Sequence, residues 1–250
     1  MESRRCGVIR SPPDLRDWNV RNYLTRSLPP KVLDLRHALF PVRDQGKTPT
    51  CAAQTASTMK EWQEKQIGEG KNTSAITGYL SPMFVYNNRE NQNEDGMYSR
   101  NVMQILTNKG ICYENSYPLG ASFPVTDKIN EEASNFKIGH YASITDIDNL
   151  KKSLYENGPC LVALPVYNST PEFWKQRAGE VLQGGHAVTA VGYSETHIIL
   201  RNSWGTGWGI SGYTYFPFSE FETIWEIWSS IDIPTPVIPL VPPRSCCVLL

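Results

Sequence analysis

Three residues of the 250-residue chain have the chemistry and the setting of a nucleophilic site: Cys51, His186 and Asn202. Cys51 follows Pro49-Thr50 and opens the run CAAQTASTMKEWQEKQ, which holds neither Gly nor Pro. Thr50 is a natural N-cap, so the spacing predicts a helix with Cys51 in its first turn. There the unpaired N–H groups and the helix dipole favour negative charge and lower a thiol's pKa. Taken alone, a cysteine so placed reads equally well as a small buried apolar residue. His186 lies in LQGGHAVTAVGY, at the mouth of a predicted strand and directly after two glycines that would let a peptide backbone come close. Asn202 stands sixteen positions later, at the end of the predicted strand HIILR. A thiolate nucleophile needs a general base and a third group to orient that base. Two antiparallel neighbours joined by a short turn would supply both. His37, His140 and His197 have no such context and read as surface or satisfied residues.

The elements that must position these groups are legible in outline. A second helix is predicted to start at Ser81, with Pro82 at its first position. A third runs from about Ser99 to Asn108 and stops at Gly110. A later one covers Asn149 to Asn157, with Asp148 as cap and Gly158 as terminator. Then come β-rich runs, CLVALPVY, AVTAVGY, THIILR and GYTYF, separated by Gly-bearing turns. The expected organisation is an arm over residues 1–30, a mainly helical lobe over 31–135, a mainly β lobe over 136–232, and a proline-rich tail over 233–250. The fold class is α+β, with a cleft between the lobes as the natural place for a site.

Composition narrows the function. The formal net charge is −1 and no long run of one sign occurs, so the basic stripe of a nucleic-acid binder is absent. The arginine-bearing N-terminus lacks the apolar stretch of a secretory signal. No run approaches the roughly 18 apolar residues of a membrane span. A cytoplasmic protein is expected. The six cysteines, Cys6, Cys51, Cys112, Cys160, Cys246 and Cys247, have no staple-like or CxxC spacing. Neither a disulfide framework nor a metal site is expected, and no cofactor is implied. The sequons at Asn72 and Asn168 read as chance.

Three blocks, PVRDQGKTPTCAAQTAS, GGHAVTAVGY and RNSWGTGWGISGYTYF, resemble the signature blocks of the papain-like cysteine proteases. The resemblance spans about Leu28 to Ile231. It implies a helical left lobe and an antiparallel, barrel-like right lobe with the active site between them. It further implies that Cys51 is the thiolate nucleophile, His186 the acid and base, and Asn202 the group that orients the imidazole. Gln45, six positions before Cys51, would complete an oxyanion hole with the Cys51 N–H. Trp204 would shield the Asn202–His186 bond, and Gly96 would align a substrate backbone. Ala163, Gly185 and Ala187 match positions lining the family's main specificity pocket, which their small size would leave roomy and apolar. The partner implied is a protein or peptide substrate, met by a monomer. Acyl transfer to an amine, or a silent membrane-tethered binding protein on the same fold, are the alternative readings.

The departures from the family pattern carry information too. Thr48 replaces a cysteine that is usually paired, and Pro49-Thr50 replaces Gly-Ser, which stiffens the loop beside the scissile bond. The arm is too short for the family's large propeptide. Two roles are open for Ser11 to Asn22: lying across or beside the cleft, or packing on the β lobe. The last four residues, CVLL, fit a prenylation signal on Cys247, with Cys246 available for palmitate. A host prenyltransferase and a membrane surface would then be partners. Such a tail on a compact body suits a virus or an intracellular bacterium that uses host enzymes.

Overall fold

The structure, a computed structural model, describes residues 6–70 and 76–232. Along the chain come β1 (Val8–Ile9), β2 (Leu33–Asp34), α1 (Cys51–Gly70), α2 (Pro82–Asn87), β3 (Met97–Tyr98) and α3 (Ser99–Asn108). They are followed by α4 (Asp127–Ser134), β4 (His140–Ser143), α5 (Ile147–Asn157), β5 (Cys160–Val166), β6 (Gly184–Tyr193), β7 (His197–Arg201), β8 (Tyr213–Pro217) and β9 (Glu226–Ile231). Helices dominate the first half and antiparallel strands the second, as the sequence pattern predicts.

The helix starts follow local chemistry. The carbonyl of Thr50 accepts from Gln54 N–H at 2.9 Å, opening α1. Ser81 Oγ accepts from Phe84 N–H at 3.0 Å, and Pro82 takes the first helical position. The cap of α5 is Asp146, not Asp148: its Oδ1 accepts from Asn149 N–H at 2.9 Å, and Asp148 sits in the first turn. The short helix α4, capped by Thr126, escapes the sequence pattern because only Ile129 and Ala133 of its eight residues are buried.

α1 is sunk into the molecule. Cys51, Ala52, Ala53, Ala56 and Met59 are fully buried, and the small side chains among them let the helix lie close against β6. Thr55, Ser57 and Thr58 are buried as well, their hydroxyls donating to the carbonyls four residues back. That satisfies polar groups which would otherwise be costly in the interior.

Strand β6 organises the second half. It pairs antiparallel with β5 along seven positions, with Ala163 opposite Ala187 and Leu164 opposite His186. Toward its far end it also meets β7 and the early strand β2. Gly192 is required there, because a Cβ on it would stand 2.3 Å from the Leu33 carbonyl oxygen. β9 joins β5 to β4, and β8 extends β7, so the sheet curls around a second core cluster. A separate core packs α1, α2 and α3 against one face of β5 and β6. The helix that opens with Cys51 and the strand that carries His186 face each other where these two bodies meet.

Candidate active site

Asn202 emerges from the end of β7, one strand away from His186. His186 Nε2 and Asn202 Oδ1 are 2.7 Å apart. The N–H of Ser203 donates to the same oxygen at 2.7 Å. Two donors on one atom fix the amide's orientation. Because that oxygen can only accept, the imidazole proton sits on Nε2 and leaves a lone pair on Nδ1. Trp204 stacks on the imidazole, with centroids 4.5 Å apart and planes 28° from parallel. Phe173 meets the ring edge-on at 5.4 Å. Both aromatic rings are almost wholly buried, so water is kept from the His186–Asn202 bond. Phe173 has no signal in the sequence; it lies in a loop between β5 and β6 with no motif around it.

The loop carrying Gln45 docks onto the Asn202–Gly205 segment. Gln45 N–H donates to Ser203 O at 2.8 Å, and Gly205 N–H to Arg43 O at 3.0 Å. Ser203 Oγ donates to Gln45 Oε1 at 2.6 Å, while Gln45 Nε2 donates to Thr48 O at 2.8 Å. Ser203 therefore ties the Asn202 and Gln45 side chains into one network. The sequence gives no sign of that tie, because a serine between two motif residues carries no signal of its own.

Cys51 sits in the first turn of α1 with its sulfur toward β6. Sγ accepts from Ala187 N–H at 3.4 Å. Among the described residues no hydrogen bond reaches His186 Nδ1. Cys51 and His186 are both wholly buried. Burial pushes the thiol up to about 12, against the pull of the N–H groups of Ala187, Gly7 and Ala52. Burial likewise draws the imidazole down to about 4, offset in part by the bond to Asn202. Both groups are neutral near pH 7 in this state.

The reason for that burial is β1. It runs parallel to β3, with Val8 opposite Met97, and antiparallel to β6, with Val8 opposite Gly185. Gly7 N–H donates to Gly185 O at 3.1 Å, and Met97 N–H donates to Gly7 O at 3.0 Å. The strand thus fills the cleft between the two walls. Cys6–Ile9 is the segment that lies in the cleft; of the two roles open for Ser11 to Asn22, Ser11 stands beside it, bonded to Glu226 and to the Arg100 N–H. The later stretch packs on the β lobe, through Asn19 against Ser143, Trp18 O accepting from Ser143 N–H, and the Arg21–Asp146 ion pair at 2.8 Å.

The remaining sequence-predicted residues line the same slot. Gly96 is buried with φ +87°, but its N–H goes to Tyr86 OH, so the neighbouring Met97 is what meets the strand backbone. Ala163 and Ala187 are paired and buried. A Cβ on Gly185 would stand 2.4 Å from the Trp225 ring and 2.5 Å from Val8 O. The pocket expected to be roomy is therefore bounded by Trp225 and occupied by Val8. Cys246 and Cys247 lie outside the described residues, as does Asn72. Asn168 organises its own turn, its Oδ1 accepting from the N–H and hydroxyl of Thr170. Among the described residues no helix is long and apolar enough to cross a membrane, and no cluster of three His, Cys, Asp or Glu could hold a metal.

The family model for papain family cysteine protease matches residues 29–222. The chain belongs to the papain family of cysteine peptidases. It is 27% identical to an uncharacterised peptidase C1-like protein of Acanthamoeba polyphaga mimivirus, over 94% of this chain and 89% of that protein. It is 28% identical to papain of Carica papaya over 74% of this chain, and 31% identical to cathepsin K of Gallus gallus over 79%. The match spans only 54% of the papain sequence and 56% of that cathepsin K. Among solved structures, xylellain, a cysteine protease from Xylella fastidiosa, superposes with a TM-score of 0.78 at 25% identity, covering 94% of this chain and 99% of that one. A procathepsin B from Trypanosoma congolense shares the fold with a TM-score of 0.69 at 17% identity, over 90% of this chain and 85% of that one. The α+β, two-lobed papain-like architecture follows from these likenesses.

Proposed function

We propose that this papain-family peptidase hydrolyses peptide bonds through a thioester formed on Cys51. The observation that carries the reading is the convergence of α1 and β6: the sulfur lies beside the strand that holds the 2.7 Å His186–Asn202 pair. With the cleft open, His186 Nδ1 takes the thiol proton and the thiolate attacks the substrate carbonyl. The oxyanion forms near the Cys51 N–H at the start of α1 and the amide of Gln45, whose orientation Thr48 and Ser203 hold. The imidazolium returns its proton to the leaving amine. The neutral imidazole so formed takes a proton from water as the oxygen adds to the thioester; the C–S bond then breaks to release the acid, and the proton returns from the imidazolium to the sulfur. Asn202 keeps Nε2 protonated throughout, so that Nδ1 always faces the sulfur side.

The test is turnover of fluorogenic peptide amides under reducing conditions, with Cys51→Ala as control. Activity that disappears in Cys51→Ala, falling by about 10⁴-fold or more, is the expected result. Activity retained by that variant would overturn the assignment of the nucleophile.

A further inference from the structure

We propose that Arg201 and Arg43 are positioning residues for the oxyanion hole: from opposite lobes they hold the loop that carries Gln45 against the start of α1. This rests on the peptidase reading, since the hole matters only if Cys51 attacks a carbonyl.

The loop needs outside support. Residues 40–45 lie outside every helix and strand, with a bridge from Asp44 to Trp204 as their sheet-like pairing. Pro41 has no N–H for a ladder, so the carbonyls of Phe40 and Pro41 need donors from elsewhere. Arg201 supplies both. Its Nη1 donates to Phe40 O at 2.7 Å and its Nη2 to Pro41 O at 2.8 Å. The side chain is buried, and Nη1 also donates to the Tyr213 hydroxyl at 3.2 Å. Arg201 is the last residue of β7 and directly precedes Asn202. One strand end therefore orients His186 through Asn202 and anchors the Gln45 loop through the side chain before it.

Arg43 grips the same loop from the helical side, two residues before Gln45. Its Nη1 donates to Leu80 O at 3.1 Å and to Glu114 Oε2 at 2.8 Å, and its Nη2 lies 3.3 Å from Glu61 Oε1 on α1. Glu61 is buried and is itself fixed by the Leu80 N–H at 2.9 Å. The Arg43 guanidinium also lies over the Tyr79 ring, 4.7 Å from its centroid. The Tyr79 hydroxyl donates to Pro41 O at 3.2 Å, so that oxygen is held from both lobes. With Asn202 and Ser203, the two arginines border a cavity of about 10 Å³. That is room for about one water, which leaves the loop little space to shift.

The arrangement depends on the fork, not only on the charge. A guanidinium is planar and presents its donors in fixed geometry, so it takes two successive carbonyls at once; an ammonium on a flexible stem does not. Removing an oxyanion-hole donor outright costs roughly 10²–10³ in kcat. Letting that donor drift should cost part of the same term. Both arginines act through Gln45, so their effect belongs to the chemical step and disappears once the Gln45 amide is gone.

The experiment uses the full-length chain with Gly7→Val, which opens the cleft by bulk: a Cβ on Gly7 would stand 2.2 Å from the Pro49 carbonyl oxygen. Val8→Asp takes its place if that protein does not fold. Arg201→Lys and Arg43→Lys are added singly, each alone and together with Gln45→Ala, so loss of fold in one leaves the other to decide. Two readouts are taken: kcat and KM for peptide amides, and amide hydrogen exchange over residues 42–48 by mass spectrometry. The expected result is a kcat about tenfold lower with KM within about twofold, and no further loss in the Gln45→Ala background. Exchange over 42–48 should be faster by about tenfold or more. Unchanged kcat, a loss confined to KM, or the same loss repeated on top of Gln45→Ala would overturn the proposal and leave the peptidase reading standing. Absence of turnover in every protein would overturn the peptidase reading. Exchange then decides whether the arginines hold the loop, and unchanged exchange would overturn that too.

Discussion

The two groups that would exchange a proton, Cys51 and His186, are held in their neutral forms by the same burial. The signs are opposite. Burial raises the thiol to about 12, so the neutral thiol persists as pH climbs past its ordinary value of about 9. It lowers the imidazole to about 4, so protonation waits until the pH falls well below the ordinary value of about 6.5. Alkylation of Cys51 by iodoacetamide should therefore rise by nearly tenfold per pH unit across roughly pH 6 to 9 in wild type, because the thiolate fraction grows at that rate below the pKa. In Gly7→Val the sulfur regains solvent and the imidazole, and the profile should level off near neutrality. Mass-mapped labelling rates at four or five pH values decide it. The same slope in both proteins would mean that something other than the resident strand keeps the thiol protonated. At this scale the sequence is generous, because Cys51, His186 and Asn202 each sit beside a local sign of their element. Phe173 and Ser203 are not legible in it, since their contacts to His186 and Gln45 are made across the fold.

Helix α5 illustrates what local sequence can and cannot specify about an element. Gly158 ends it with φ +85° and ψ −155°, a backbone region open essentially to glycine alone. A Cβ there would also lie 2.2 Å from the Trp62 ring of α1. Gly158→Ala should cost about 2–4 kcal/mol from strain and overpacking together, lowering Tm by roughly 5–12 °C for a chain of this size. Differential scanning calorimetry checks it; a shift within about 1–2 °C, roughly half a kcal/mol, would mean that the ring moves aside without penalty. As a helix stop Gly158 is legible in the sequence, because that role is local. Its contact with Trp62 is not, since it joins residues almost a hundred positions apart. Strands β1, β2 and β3 escape the sequence pattern for the same reason. Each has two residues, too few for any alternation to register, and each is defined by partners distant in sequence. The starts of α1 and α2, by contrast, are set by Thr50, Ser81 and Pro82 within four residues of themselves.

At the scale of the whole molecule, the arm adds a further bridge between two bodies that α1 already joins, through Lys60 to Asp232 and Gln63 to Ser230. Ser11 is shared by Glu226 and Arg100, and Arg100 also donates to Pro12 O and pairs with Asp17. Arg100→Ala should remove the guanidinium's hold on Pro12 and Asp17 while leaving the backbone bond to Ser11 and the pairing of β1 in place. The loss of charge-assisted hydrogen bonds, about 1.5 kcal/mol or more, should raise turnover by roughly tenfold, short of the level reached by Gly7→Val. Unchanged turnover would mean that the strand alone keeps the cleft shut. A resident strand that is part of the same chain has a kinetic consequence as well. It never dilutes away, and a short tether keeps such a ligand at an effective concentration in the millimolar range. Every incoming peptide competes against that standing concentration, so apparent affinity falls in proportion to the fraction of open clefts. A cleft open about 1% of the time would weaken every substrate about a hundredfold. Short reporters with few contacts would be screened out first. Longer chains that pair with both glycine-lined walls would retain enough affinity to displace the strand, so turnover should favour extended polypeptide over short reporters.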